Sequence, residues 1–537
     1  MANQNTRSLA ARKELKHNVF ENISTLASQN ASDESFQLWA KDQLIPESTI
    51  FGTTSFYDFT KLENRTQKIH ICNGSACLTA KTQEHVKQEL SKHFEASEIG
   101  HAACLGHCHT NAAFLYQNQT YSLTNGLEIE QILTNKTPSN NTYHVGFGKV
   151  QILTKPFENL DVYVTLTNQL NPQAALDALK TAHLRGRGGA GFPFWFKIDA
   201  VQKEKATQKY IICNADEGDP GAYSDMYLLE NQPHKVLLGM YLSGLLTGAD
   251  TGIVYIRGEY PHSIHTVNKA IETLDKQNLT PHFRWKVIQG QGAYVCGEET
   301  ALLSSIEGLR PEVRVRPPYP AQYGLYGKPT VLSNVETFAN VPWIIQNGGD
   351  SFAQIGTKSS TGTKLVSLDG HFNRPGIYEV VMGTPVINII EEYGLGLRNP
   401  IKAIQIGGPL GGIVPLEKLK DLTLDFESFS QNGFLLGHAS LVCIPQDFPM
   451  LEYLKHLLKF AADESCGKCF PCRIGTQRGY EMLDKAQQTN YKIDLILIHD
   501  LLETLEKGSL CALGGGVPLP FRNALQYFGD ELNEYFM

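Results

Sequence analysis

Between residues 145 and 350, short apolar runs rich in β-branched residues alternate with longer helical stretches. Tyr210-Ile211-Ile212-Cys213, Gly252-Ile253-Val254-Tyr255-Ile256 and Trp285-Lys286-Val287-Ile288 are the clearest of these runs. Strands separated by helices in this way predict a layered α/β domain around a parallel sheet. The flanking regions have other rhythms. Residues 8–60 read as short helices ending in the apolar-aromatic stretch Ile50 to Tyr57. Lys68-Ile69-His70-Ile71 predicts a strand running into Cys72, followed by a helix over 82–94 and a strand at Ala113-Phe114-Leu115-Tyr116. The Asn/Thr/Pro/Ser-rich run 135–142 predicts a linker. Glycines and short strands over 360–440 predict a small β-rich module, and the chain beyond 445 is mostly helical. The expected units are therefore 1–60, 61–140, 145–350, 355–440 and 445–537.

The chain of 537 residues has 42 % hydrophobic and 19 % charged positions, as expected of a globular protein with several cores. No apolar run approaches the roughly 18 residues of a membrane span, so no direct membrane insertion is expected. The N-terminal stretch lacks an apolar segment typical of a secretory signal. A net charge of −8 leaves no footprint for nucleic acid. Eight of the eleven cysteines fall into two sets of four, which points to metal or cluster ligands in a reducing cytoplasm and not to disulfides.

The sharper set is Cys466, Cys469 and Cys472, completed by Cys511. Three thiolates at C-x2-C-x2-C spacing with a distant fourth suit a [4Fe–4S] cluster. Structural zinc, the competing reading, more often uses two separated pairs. The second set, Cys72-x4-Cys77 and Cys104-x3-Cys108, sits at the ends of a strand–helix–strand pattern. Paired loops suit a [2Fe–2S] centre, with zinc again the alternative. His70, His101, His107 and His109 lie nearby and are expected to be solvated or to support the ligands from outside. Cys213, Cys296 and Cys443 are expected to be buried packing thiols.

Leu184-Arg185-Gly186-Arg187-Gly188-Gly189-Ala190-Gly191-Phe192-Pro193 contains G-x-G-x-x-G, but a helical stretch precedes it, so it is not the ordinary dinucleotide fingerprint. Glycines at this density still bring backbone N–H groups close to a flat or anionic ligand. Arg187 and Lys197 are expected to add positive charge. Three more polar segments stand at predicted strand ends or helix starts: Asn214 to Gly221, Tyr294 to Thr300, and Ser333 to Thr337. Loops beyond the carboxyl ends of a parallel sheet build ligand sites.

Taken together, RGRGGAGFP, NADEGDPG, YVCGEETALL, RPPYPA, CGKCFPCRIG and SLCALGG resemble the NADH-binding flavoprotein subunit of respiratory complex I. They equally resemble the diaphorase subunits of NAD-dependent formate dehydrogenases and NAD-reducing hydrogenases. FGTTSFYDF, ICNGSAC and CLGHC resemble the thioredoxin-like [2Fe–2S] subunit that accompanies this flavoprotein, here fused to it. The resemblance implies a thioredoxin-like domain, a Rossmann-like FMN and NADH domain, a β-grasp module and a helical [4Fe–4S] domain.

It places FMN against Gly186, Arg187, Gly188, Gly189 and Gly191, with Lys197, Asn214, Asp216, Glu217, Tyr294, Gly297, Glu298, Ser333 and Asn334 around it. NADH would stack over the flavin with Phe192 and Tyr319 flanking its adenine, and Asp219, Glu299 and Arg316 at its polar parts. Lys197, Glu298 and Glu299 are the residues expected to tune flavin and hydride geometry. Trp195, Ile198, Asp219 and Ser333 depart from the family's usual residues, and the Cys77–Cys104 interval is short. The implied partners are NAD(H), a [2Fe–2S]-type subunit, and a molybdenum- or nickel-iron-containing catalytic subunit. A formate dehydrogenase β subunit is expected ahead of a hydrogenase diaphorase or a complex I subunit. A non-catalytic iron–sulfur or zinc scaffold is the reading of a different class.

Overall fold

The computed structural model describes residues 15, 18–125, 129–134, 141–157 and 159–537. Most of the expected 135–142 linker lies outside the described residues. Three short helices, Val19–Ser28, Asp33–Asp42 and Glu47–Thr54, form the N-terminal segment. The Asn18 side chain caps the first by accepting from Glu21 N (3.1 Å) and donates to the Ile306 carbonyl (2.6 Å). Tyr57 Oη donates to Ser305 Oγ at 2.9 Å. These contacts brace the segment against the helix Glu299–Ile306, which starts within the Tyr294–Thr300 site segment.

The next unit is a four-stranded mixed sheet. Ile69–Cys72 pairs in parallel with Ile99–Ala102 and antiparallel with Ala113–Tyr116, and Gln119–Ser122 closes the far edge. The Tyr210–Ala215, Thr251–Ile256, Arg284–Gln289 and Thr330–Asn334 strands form a second, wholly parallel sheet, with Tyr210–Ala215 between Thr251–Ile256 and Thr330–Asn334. Every residue of Thr251–Ile256 is buried, as a strand covered by helices on both faces requires. The helix Pro233–Thr247 is also buried on nearly every side and packs against the helix Val335–Asn347.

A third sheet has six strands: Gly412–Pro415, Ile401–Ile406, Ser440–Pro445, Thr363–Leu368, Gly376–Val381 and, at the edge, His144–Phe147. The stretch expected to open the flavin domain thus supplies a strand to the β-rich module instead. A buried carboxylate holds the chain that follows it. Glu379 accepts the backbone N–H groups of Ile152 (2.7 Å), Leu153 (2.9 Å) and Thr154 (2.8 Å). Lys235 Nζ donates to the carbonyls of Ile152 and Lys155, each at 2.7 Å. Charged hydrogen bonds of this kind tie the second and third sheets together.

Four longer helices, Met450–Asp463, Phe470–Gln488, Leu495–Gly508 and Pro518–Tyr527, complete the chain. Leu454, Leu458, Leu483, Leu502, Leu505 and Phe521 form their common core. Among the described residues, no helix is long and apolar enough to cross a membrane.

Candidate functional site

The glycine turn joins two helices. Asn171 caps the first, Pro172–Ala182, by accepting from Ala174 N at 3.0 Å, and that helix ends at His183 in the left-handed region (φ 51°). The turn closes where Gly186 N donates to the Phe192 carbonyl at 2.8 Å, and the chain then enters the helix Phe194–Lys203. Gly189 has φ +121°, a conformation a side chain would strain. A Cβ on Gly188 would lie 3.0 Å from Asn334 Cβ, so the missing side chain is what lets the turn approach the sheet edge.

That edge is the carboxyl end of the parallel sheet. Asn214 and Asn334 close neighbouring strands and pair in register. Asn214 Nδ2 donates to the Gly297 carbonyl at 2.8 Å, bringing the Tyr294–Thr300 segment to the same edge. Ser333 is buried one position earlier on its strand. Asn334 caps the helix Val335–Asn347 through Glu336 N (2.9 Å) and donates to Asp225 Oδ2 at 2.6 Å.

Lys197, Glu299 and Arg316 form a charged chain beside the turn. Lys197 Nζ donates to Glu299 Oε2 (2.8 Å) and to the Leu332 carbonyl (2.9 Å), while Arg316 Nη1 donates to Glu299 Oε1 (2.8 Å). Burial would raise the Glu299 pKa, but the two cations outweigh it and the carboxyl sits below its ordinary range. Glu298 is instead a helix cap, accepting from Thr300 N and Ala301 N at 2.9 Å each. Its other oxygen lies 3.7 Å from Arg316 Nη2. Phe192 and Tyr319 are 45 % and 55 % exposed, apolar faces open for stacking a ring.

The Asn214–Gly221 loop lies between this edge and the first cysteine set. Asp219 accepts from Tyr294 Oη at 2.7 Å, and buried Asp216 has one oxygen with no partner. Burial holds the Asp216 carboxyl well above its usual range, against the opposing charge of Arg257. Arg257 spans the gap, donating to the Cys104 carbonyl at 2.6 Å and to the Glu217 carbonyl. It follows directly on the strand Thr251–Ile256, the same strand-end position that flagged the other loops.

Arg187 lies deeper than its neighbours in the glycine turn. Its side chain is 0 % exposed and turns into the core, where Nη2 donates to the Thr361 carbonyl (2.6 Å) and Nε lies 3.9 Å from Glu336 Oε1. Burial lowers its pKa to about 10. Glu336 also pairs with the fully buried Lys364. The guanidinium anchors the turn to the helix and the β-rich module through Nη2, while its Nε and Nη1 have no hydrogen-bond partner.

All eleven cysteines are free. Cys104 Sγ and Cys108 Sγ are 3.6 Å apart, and Cys72 is hydrogen-bonded with Cys104 and Cys77. The whole set is buried, and those neighbouring thiols push the Cys72 thiol well up. His107 and His109 are buried too, stacked at 5.6 Å, so they are not solvated. In the second set, burial pushes the Cys472 thiol up to about 12, against a hydrogen bond with Ser465. Cys469, Cys511 and Cys466 are close enough to raise it further. Cys72 thus hydrogen-bonds with one thiol of each pair in the first set, and Cys472 feels the other three thiols of the second. Both sets supply thiol donors of the kind an iron–sulfur cluster uses. Cys213, Cys296 and Cys443 are buried in the packing, as expected.

A parallel-sheet edge carrying a glycine turn, with a four-thiol centre among helices nearby, defines a flavin- and cluster-bearing protein. The chain belongs to the family of NADH-binding FMN and iron–sulfur subunits shared by NADH-quinone oxidoreductases and pyridine-nucleotide-linked hydrogenases. The Nuo51 FMN-binding domain matches residues 179–343, and the NADH-ubiquinone oxidoreductase-F iron–sulfur binding region matches 452–535. The NADP-reducing hydrogenase subunit HndC of Solidesulfovibrio fructosivorans is 41 % identical over 391 residues, 71 % of this chain and 79 % of that one. The NADH-quinone oxidoreductase F 2 subunit of Rhizobium meliloti (strain 1021) is 37 % identical over 374 residues, 68 % of this chain and 89 % of that one. A crystal structure of NAD+-reducing [NiFe]-hydrogenase in the air-oxidized state is 28 % identical with a TM-score of 0.86, covering 97 % of this chain and 93 % of that one. The protein is accordingly an NADH dehydrogenase-type oxidoreductase whose cofactors are FMN and a [4Fe–4S] cluster, with NADH as substrate.

Proposed function

We propose that this chain is the electron-exchange subunit of a multi-subunit NAD-linked hydrogenase or dehydrogenase, working between NAD(H) and one-electron carriers. When bound, FMN exchanges a hydride with the nicotinamide and single electrons with the clusters. The chain's own residues bind and orient. In this reading the backbone of Gly186, Gly188, Gly189 and Gly191, with the Arg187 backbone, cradles the flavin, while Asn214, Asp216, Gly297, Ser333 and Asn334 line its other side. Phe192 and Tyr319 hold the adenine, and the Lys197–Glu299–Arg316 chain with Asp219 meets the polar parts of the nucleotide. Glu217, Tyr294 and Glu298 support these loops from behind. The register of Asn214 against Asn334 carries the reading, because it converges two polar strand ends under the glycine turn.

The mixed sheet over 69–122 and its four buried thiols support a thioredoxin-like domain with a [2Fe–2S] centre on Cys72, Cys77, Cys104 and Cys108. Cys466, Cys469, Cys472 and Cys511 would hold the [4Fe–4S] cluster. The 144–147 and 363–445 strands would form the β-grasp module. The likeness to an NAD+-reducing hydrogenase over almost the whole of both chains supports a hydrogenase-type assembly over the formate-linked one. Free cysteines suit a cytoplasmic setting. Anaerobic addition of NADH to the purified protein is expected to bleach the flavin absorbance and reduce the cluster signal. FMN-loaded protein that stays yellow would overturn the reading.

A further inference from the structure

Among the described residues, one buried cluster joins Glu217 to two residues that the cofactor cradle does not include, Asp225 and His438, and the ligand-capable atoms of all three lie within 4.8 Å of one another. His438 comes from the β-rich module, between its last two strands in chain order, and is 4 % exposed. Its Nε2 lies 3.4 Å from Asp225 Oδ2 and 3.7 Å from Glu217 Oε1, and its Nδ1 is 3.4 Å from Ser224 Oγ. Asp225 is itself buried, and its Oδ1 has no partner. Asp225 Oδ2 is the atom that accepts the Asn334 amide at 2.6 Å, directly behind the Gly188 turn.

We propose that His438 is a positioning residue of the flavin site, which holds Asp225 and through it the Asn334 side chain against the glycine turn. The proposal rests on the FMN placement given above. Two buried carboxylates this close need a compensating positive charge. A divalent cation is one way to supply it, but both Glu217 oxygens are already engaged and Asp225 Oδ2 holds Asn334. The Glu217 carboxylate accepts from Asp225 N (2.9 Å), Met226 N (3.0 Å) and Tyr260 Oη (3.2 Å). A proton on His438 supplies the charge without displacing these bonds. The charged groups facing it are Asp225, Glu217, Asp219 and Lys364. Burial lowers the His438 pKa and Lys364 opposes its charge, but the Asp225 hydrogen bond with the two nearest carboxylates raises it to about 9. The raised value means that the His438 contribution is present in full below about pH 6.5 and is lost as the pH rises through about 9. Burial, with Asp225 beside it, raises the Glu217 carboxyl to about 7, so its own charge fades below that pH and Asp225 is the lasting partner. The flavin cradle is thereby keyed to the β-rich module.

The test is FMN binding to flavin-depleted protein, followed by quenching of flavin fluorescence, for wild type, His438→Gln, His438→Lys and Asn334→Ala. His438→Gln is expected to weaken FMN about tenfold at pH 7, the effect of losing one charge-assisted hydrogen bond. His438→Lys should restore most of the affinity, and wild-type affinity should fall between pH 8 and 10. Unchanged affinity in His438→Gln beside weakened Asn334→Ala would overturn the inference and leave the flavin placement standing. Unchanged affinity in both would overturn the placement itself. Should His438→Gln fail to fold, a flat wild-type affinity from pH 7 to 10 would overturn the inference. A stoichiometric divalent metal in wild type that His438→Gln lacks would do the same.

Discussion

Lys197 Nζ and Glu299 Oε2 stand 2.8 Å apart, joining the helix that leaves the glycine turn to the helix that starts within the Tyr294–Thr300 segment. Because Arg316 engages the other Glu299 oxygen, the carboxylate is held from two sides beside the exposed Phe192 ring. Lys197→Met leaves Glu299 with one cation, and the rate of flavin reduction by NADH should fall about tenfold or more, as for the loss of a charged hydrogen bond. Stopped-flow bleaching under anaerobic conditions measures this. A rate within twofold of wild type would show that the lysine is only structural.

Gly189 tests the cradle differently. Its φ of +121° means that alanine there strains the turn by roughly 1–3 kcal/mol. Gly189→Ala should therefore purify with much less FMN while its iron content stays at the wild-type level.

The buried pair of Lys364 and Glu336, with Arg187 beyond it, predicts a stability effect remote from chemistry. Lys364→Met leaves the buried Glu336 carboxylate with only the more distant Arg187 guanidinium and should destabilise by about 3 kcal/mol. Adding Glu336→Gln should recover a large part of that, since the two sites share one interaction. Thermal unfolding of the two single variants and the double variant reads the coupling.

Glu230 supplies the pH prediction. Burial raises its carboxyl to about 7, against a hydrogen bond from Ser263. A raised folded value costs stability as the pH climbs from about 4.5 through 7. Glu230→Gln should thus stabilise the protein by roughly 2–3 kcal/mol above pH 7, with the gain shrinking toward pH 4.5. Melting curves at pH 5 and pH 8 suffice to check it.

The two cysteine sets make separable predictions. Cys511→Ser should lower the iron content by about four atoms per chain and Cys104→Ser by about two, each with matching acid-labile sulfide. Equal losses, or zinc in place of iron, would sink the assignment of different clusters.

Local pattern made the parallel sheet legible. Tyr210-Ile211-Ile212-Cys213 is apolar because helices cover both faces of its sheet, and the strand found there runs Tyr210–Ala215. Thr251–Ile256 beside it starts one residue earlier than the sequence reading, and Arg284–Gln289 at the sheet edge extends it by one residue at each end. The C-x2-C-x2-C triplet was legible for a similar reason, since its spacing brings three thiols to the start of one helix, Phe470–Gln488. The loops at Asn214 and Asn334 could be placed at one edge because parallel strands present all their carboxyl ends to the same side.

Other parts of the site were decided by contacts between residues far apart in the chain. Arg187 reads as a positive charge beside its glycine turn, and only the contacts with Glu336 and Thr361 show how deeply it is buried. His144–Phe147 pairs with Gly376–Val381, more than two hundred residues away, because an exposed sheet edge takes whichever strand the fold brings to it. His438 carries no motif, and its meaning arises only where a loop of one module meets the carboxylates of another. The amino-acid order determined the elements, the thiol sets and the polar strand ends, because these depend on spacing along the chain. Tertiary packing alone decided which charges face the cleft and which are buried, because that depends on what the remaining surfaces exclude from water.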